Sequence, residues 1–315
     1  MSIRLTPGVP LVAVERCGVV ESIHCGHLVV LEPDGSVAHQ LGDPGQPILP
    51  RSANKPMQAV GLARLGLALP TPHRALSTAS HSGEAQHVAA VTEMLSAGGL
   101  TADDLGCPPD WPLDRDTADA WIASGGGKTR VRMNCSGKHA AMLRACQLRD
   151  WSRPDYLDRD HPLQRALAET VTELAGPIAS VGVDGCGAPV FALSLVAVAR
   201  AFAAIATAAE PAQAAVATAM RACPELVGGT GRAATRLMSG IDGLIAKDGA
   251  EGVFAAALPD GRAVALKIDD GAQRAADRAI VTALRLAGVQ ADVLDELESQ
   301  PLLGGGVPVG SIHPV

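Results

Sequence analysis

Ser52-Ala53-Asn54-Lys55 sets a hydroxyl and an amine at i and i+3, where a helical start brings both onto one face of the first turn. A serine hydroxyl becomes a useful nucleophile once a base takes its proton. A lysine can be that base when burial or a neighbouring cation lowers its pKa toward neutrality. The same residues also suit an N-capping serine followed by a surface lysine. Two further features add weight to the chemical reading. Ser77-Thr78-Ala79-Ser80-His81-Ser82 gathers hydroxyls on one short segment, and Leu266-Lys267-Ile268 puts a lysine inside an apolar strand, where a charge needs a reason. Lys267 equally suits an edge strand, whose lysine discourages aggregation.

A second constellation carries thiols. Asn134-Cys135-Ser136-Gly137-Lys138-His139 opens a helix, and Val183-Asp184-Gly185-Cys186-Gly187 closes a strand. Cys135 and Lys138 share a helical face, so a thiolate and an amine can meet Cys186 at one ion. Sulfur is an ordinary zinc ligand, whereas a lysine nitrogen is rare and must bind in its neutral form. Spacing alone leaves two readings open: a metal centre, or two small buried cysteines beside a helix N-terminus that binds an anion. His24-Cys25-Gly26-His27 has the look of a metal box, but on a strand the two histidines point to opposite faces. Ser124-Gly125-Gly126-Gly127-Lys128-Thr129 imitates a phosphate loop, yet Ile122 stands where that motif requires glycine. Gly228-Gly229-Thr230-Gly231 reads as a flexible turn.

The elements that must position these groups follow from turn residues and periodicity. Val12 to Val14, Gly18 to Leu31 and Ser36 to Leu41 read as an opening hairpin with a Pro33-Asp34-Gly35 turn. Helices are expected from about Ser52, over Glu84–Ala97, Lys138–Leu148, Pro162–Leu174, Pro189–Ala208 and Ala212–Cys223, and a strand over Ile178–Val183. The last third reads as an antiparallel meander: Ile241–Ala246, Gly252–Ala257 and Arg262–Ile268, separated by Lys247-Asp248-Gly249 and Pro259-Asp260-Gly261 turns, then a helix Ala272–Ala287. Strands at both ends with helices between them predict an α/β fold, an antiparallel sheet flanked by helices around a helical lobe. We expect one domain over residues 1–315, with Gly98 to Gly127, rich in Asp, Pro and Gly, connecting two lobes.

Composition narrows the function. The 315 residues are 47% apolar and 19% charged, a globular balance. A net charge of -7, no basic run and only 7 aromatic side chains (3 Trp, 3 Phe, 1 Tyr) argue against a nucleic-acid partner. Prolines and a glutamate interrupt the first residues where an export signal needs an apolar stretch. Val190 to Ala209 carries Arg200 and reads as a core helix rather than a membrane span. The 7 cysteines include no CxxC pair, which suits a reducing compartment, so a cytoplasmic location is expected.

A Ser-x-x-Lys, a mid-chain serine segment and a late strand lysine, in that order, are the parts used by serine β-lactamases and penicillin-binding proteins. RSANKPMQA, STASHSGE, NCSGKHAAML, VDGCGAP and LKIDDG together closely resemble the Rhizobium-type L-asparaginases of the asparaginase II family, over roughly Ser22 to Gly271. The resemblance implies a fold similar to serine β-lactamases and glutaminases, a homodimer, and hydrolysis of L-asparagine to L-aspartate and ammonia. It also implies two Ser–Lys pairs, Ser52 with Lys55 and Ser80 with Lys267. A zinc ion held by Cys135, Lys138 and Cys186 is implied too, with Asp184 and His139 lining the site and Arg51 and His81 contacting substrate. Gly83 and Gly187 depart from the bulkier residues of some relatives. On this reading Ser52 attacks the side-chain amide, Lys55 is its base, and zinc orients the substrate. A β-lactamase-like amidohydrolase and a zinc-dependent amino-acid binding protein are the rivals; the first would need a K-T-G after the strand lysine, which Lys267 lacks.

Overall fold

The computed structural model describes residues 6–315. The chain begins with strands β1 (Val9–Arg16), β2 (Val19–Leu31), β3 (Val37–Leu41) and β4 (Pro47–Ile48), then a 3-10 turn (Arg51–Asn54) that runs straight into helix α1 (Lys55–Arg64). Helices α2 (Thr71–Ser77), α3 (Ala85–Ser96), α4 (Arg115–Ala123), α5 (Ser136–Leu148) and α6 (Pro162–Ala175) follow, then strands β5 (Ser180–Val183) and β6 (Pro189–Ser194). Next come α7 (Leu195–Thr207), α8 (Pro211–Ala222), α9 (Pro224–Val227) and α10 (Ala233–Gly240), and then β7 (Ile245–Gly249), β8 (Val253–Ala257) and β9 (Ala263–Ile268). Helices α11 (Gln273–Leu286) and α12 (Asp292–Glu298) and strands β10 (Gln300–Gly304) and β11 (Val307–Pro314) complete the chain.

Both ends of the chain meet in one sheet. Its order is β10-β11-β1-β2-β9-β8-β7, with β3 beside β2, and each pairing is antiparallel. β8 and β9 are Ala- and Val-rich and buried along their whole length, which requires cover on both faces; α7 and α11 pack on them. A second apolar cluster, including Leu76, Val91, Met94 and Leu143, forms under α2, α3 and α5. Helix α1 joins the two, with Met57 and Val60 in the sheet cluster and Leu62 in the helical one. The start of α1 therefore lies where the edge strand β7 meets the helical lobe. At Gly249, which ends β7, a Cβ would stand 2.3 Å from the Pro50 carbonyl and 3.3 Å from the Ala53 nitrogen, so glycine is what lets the turn carrying Ser52 press against the sheet.

The α/β class and the pairing of terminal strands agree with the sequence pattern, while two local expectations change. Pro189–Ala208 is not one helix: Pro189 to Ser194 pair with β5 and β4, and Ser194 then caps α7 by accepting from the Ala197 N–H. Lys247-Asp248-Gly249 is no turn but the end of β7; the bend falls at Glu251 and Gly252, which take the positive φ values of 62° and 67°. The stretch from Gly98 to Gly127 contains α4, capped by Asp114, and the residues before it wall the cavity described below. The C-terminal residues form the β10–β11 hairpin. Among the described residues no single helix is long and apolar enough to cross a membrane; α7 and α8 reach that composition only as a pair bent by 89°.

Candidate active site

Ser52, Ser80, Asn134, Arg232, Asp248 and Glu251 share the wall of a cavity of about 430 Å³ at the junction of β7, α1 and the helical lobe. Arg51 enters the turn before Ser52 with φ 53°, a left-handed conformation that non-glycine residues seldom adopt. Its Nε donates to Asp184 Oδ1 at 2.7 Å, which ties the turn to the loop after β5. Thus Arg51 and Asp184, both expected at the site, are brought together as an ion pair beside Ser52.

Lys55 follows at the first position of α1 and is 1% exposed. Its Nζ donates to Ser80 Oγ at 2.9 Å, to the Ala79 carbonyl at 2.5 Å and to Cys135 Sγ at 3.2 Å. The amine therefore bonds Ser80 rather than Ser52, and links that cavity serine to the Cys135 sulfur behind it. The hydroxyl segment is pinned on both sides: Ser80 N–H donates to the Val227 carbonyl at 3.2 Å, and the Ser80 carbonyl accepts from Arg232 Nη1 at 2.7 Å.

The expected partnership of Ser80 with Lys267 is not formed. Lys267 lies on β9 opposite His27 and Val253, and its Nζ donates to the Glu251 and Ile268 carbonyls at 2.7 and 2.5 Å. Burial lowers its pKa, against the pull of Asp269, Glu251 and Asp270. The lysine that does accompany Lys55 is Lys247, wholly buried on β7, whose Nζ donates to the Asp248 carboxylate at 2.7 Å and carbonyl at 2.8 Å. Burial pushes Lys247 down to about 8; Asp248 opposes the fall, and Lys55 and Arg232 add to it. Burial would raise the Asp248 carboxyl, but Arg232 and Lys247 outweigh it and hold it well below the usual carboxylate range. Sequence reasoning missed Lys247, Asp248 and Arg232. The available signal was a Lys-Asp-Gly at the end of an apolar run, which reads as readily as a strand terminus as it does as a turn.

His81 lies behind the cavity rather than on it. It is fully buried, accepts from the Gly83 N–H at its Nδ1 (3.2 Å), and its Nε2 stands 2.8 Å from Ser136 Oγ, a hydroxyl that itself donates to the Val131 carbonyl. Burial, with His87 and Lys55 nearby, drives its pKa well down, so a neutral ring donating from Nε2 links the hydroxyl segment to α5. His81 takes this place behind the wall because the extended segment alternates its side chains, with Ser80 and Ser82 on the cavity. His24 and His27 serve separate networks, His24 with Asp270 at 2.6 Å and His27 with the Thr6 carbonyl at 3.0 Å.

Cys135, Lys138 and Cys186 do converge. Lys138 Nζ lies 3.2 Å from Cys186 Sγ, and the Cys135 thiol is in hydrogen-bonding reach of the same sulfur. That bond and burial raise the Cys135 pKa; the same bond, with Lys138 and His139 and against burial, pulls Cys186 far down. Burial would lower Lys138, but the two sulfurs and Asp184 outweigh it and raise it. His139 is buried, its Nδ1 2.5 Å from the Tyr156 hydroxyl, and its Nε2 lacks a hydrogen-bond partner. As a donor set for a thiophilic ion the two sulfurs fit. No group of three His, Cys, Asp or Glu among the described residues is arranged to hold a metal, so an ion here needs the Lys138 amine, which must first give up its proton.

The L-asparaginase II family model matches residues 12–314. The chain belongs to the L-asparaginase II family. It is therefore an amidohydrolase of the asparaginase type. No match is found among curated proteins. Among solved structures the chain is similar to a β-lactamase from Mycobacterium bovis (15% identity over 84% of this chain and 94% of that one, TM-score 0.47). It is also similar to a protein from Bacteroides dorei described as a β-lactamase (13% identity, 82% and 93% covered, TM-score 0.43).

Proposed function

We propose that this amidohydrolase hydrolyses L-asparagine to L-aspartate and ammonia through an acyl-enzyme on Ser52. The observation that carries this reading is the buried Lys55 amine, 2.9 Å from Ser80 Oγ and one helical turn from Ser52, at a cavity that both serines line. Lys55 in its neutral form accepts the Ser52 proton as Oγ attacks the side-chain amide carbon. The proton passes through the Lys55–Ser80 contact to the departing nitrogen, ammonia leaves, and water, deprotonated by the same amine, hydrolyses the ester and restores Ser52. Ser80, fixed by Val227, Arg232 and Lys55, suits a relay better than a nucleophile that must change partners. Lys247, with its pKa near 8, supplies a second amine near the first that can shed its charge.

Cys135, Lys138 and Cys186 would hold a zinc ion directly behind Lys55. An ion held there, with both cysteines bound as thiolates, would supply positive charge at the back of the cavity, while Cys135 keeps its sulfur beside the Lys55 amine. The resemblance extends the proposal to a homodimer in the cytoplasm, consistent with 7 cysteines that are all free. The test of the reading is ammonia release by the purified protein on adding L-asparagine. Turnover that disappears in Ser52→Ala supports it; release from a β-lactam or a peptide amide but not from L-asparagine would overturn it.

A further inference from the structure

We propose that Glu251 is the residue that recognises the substrate's α-ammonium group, and that Lys267 is the positioning residue that holds it at the cavity rim. This rests on the asparaginase reading above and specifies how its substrate is selected.

The cavity wall contains three carboxylates, and two of them are already committed. Asp248 is bound by Lys247 and Arg232. Asp114 caps α4, accepting from the Thr117 N–H and hydroxyl at 2.8 Å each. Glu251 is exposed to the cavity, and its carboxylate makes no ion pair or hydrogen bond among the described residues. An amino acid brings an ammonium with three N–H donors, and a free carboxylate is the acceptor that suits it.

The backbone at Glu251 has the marks of a placed residue. Its φ of 62° is a conformation that glycine or asparagine adopts more readily in a tight turn between strands, yet a glutamate stands there. The wholly unexplained lysine of β9 accounts for how it is held: Lys267 Nζ donates to the Glu251 carbonyl at 2.7 Å, clamping the β7–β8 turn from beneath. Room for the carboxylate comes from Gly271, which also lines the cavity, since a Cβ there would stand 2.6 Å from Glu251 Oε2. Lys267, Gly271 and the strained turn thus act on one carboxylate, at the end of the cavity closed by β7.

The experiment compares L-asparagine with succinamate, the same amide without the α-amine. In Glu251→Gln the ratio of kcat/KM for L-asparagine to that for succinamate falls about tenfold or more, chiefly through KM for L-asparagine, and Glu251→Asp restores part of it. Lys267→Met shifts the same ratio in the same direction to a smaller extent, which a general loss of stability would not do. An unchanged ratio in Glu251→Gln, or equal losses on both substrates, overturns the assignment. Calorimetric binding of L-aspartate and succinate keeps the question separate from turnover: wild type binds L-aspartate the tighter, and Glu251→Gln removes that preference. A wild type that binds the two alike refutes the role of Glu251 even if ammonia is released, whereas a clear preference with no turnover refutes the catalytic reading alone.

Discussion

Replacing Lys55 with methionine separates the two roles that a buried lysine can have. The side chain is 1% exposed and makes three contacts: the Ser80 hydroxyl, the Cys135 sulfur and the Ala79 carbonyl. Methionine preserves most of the volume. What is lost is an amine, and what is left is a buried carbonyl at Ala79 without its donor, a cost of about 1–3 kcal/mol. Removing a buried polar amine offsets part of that cost, so the melting temperature should move by only a few degrees. The effect on turnover is far larger. Loss of a positioned base slows amide cleavage by roughly 10²- to 10⁴-fold, equivalent to about 3 to 5.5 kcal/mol of barrier. Because Lys55 lies behind the cavity wall, KM for L-asparagine should change little. Steady-state ammonia release and a thermal melt on the same preparation read both quantities. A Lys55→Met protein that melts normally and keeps kcat within about threefold of wild type would refute the reasoning.

Three other outcomes follow from the packing around this site. Burial raises the Asp277 pKa to about 6, so the folded protein holds a proton there that the unfolded chain has released; the stabilising effect is complete below the unfolded value and is lost as pH rises through about 6. Asp277→Asn should accordingly raise the melting temperature at pH 7 more than at pH 4, and an equal shift at both would contradict this. Gly83 has φ 84°, and a Cβ there would lie 2.8 Å from Pro112 Cα, so Gly83→Ala should cost about 1–3 kcal/mol by displacing the segment that walls the cavity; an unchanged melt would count against that contact. If the thiol cluster holds zinc, elemental analysis should find about one ion per chain in wild type and little in Cys186→Ser, and metal-free wild type with full activity would dismiss the ion.

Much of the fold could be read in advance because its punctuation is local. Pro33-Asp34-Gly35 and Pro259-Asp260-Gly261 mark bends, and the apolar period of residues 162–174 marks a helix with one buried face. The blocks around Ser80, Cys135 and Cys186 meet through Lys55 and the paired sulfurs, and Ser52 lines the same cavity as Ser80. Pairing across the chain was another matter. Whether Lys247 or Lys267 lies near Lys55 depends on which strand lies at the sheet edge, and that is set by the strand order of the whole sheet. A lysine inside LKI looks more buried than one followed by Asp-Gly, yet the second is the wholly buried one, since the turn that carries Ser52 covers it. Pro189–Ser194 failed for a related reason: apolar residues before a helix are ambiguous until partners for their backbone are known. His81 adjoins Ser80 in sequence, yet the alternation of an extended segment turns adjacent residues to opposite sides.

The most direct test of the central claim is to quench the enzyme during turnover of L-asparagine and locate the acyl group by peptide mass spectrometry. The account predicts an aspartyl ester on the peptide carrying Ser52, accumulating when Ser80 is replaced by alanine. An ester on Ser80, or turnover that continues in Ser52→Ala with no ester on either serine, would contradict it.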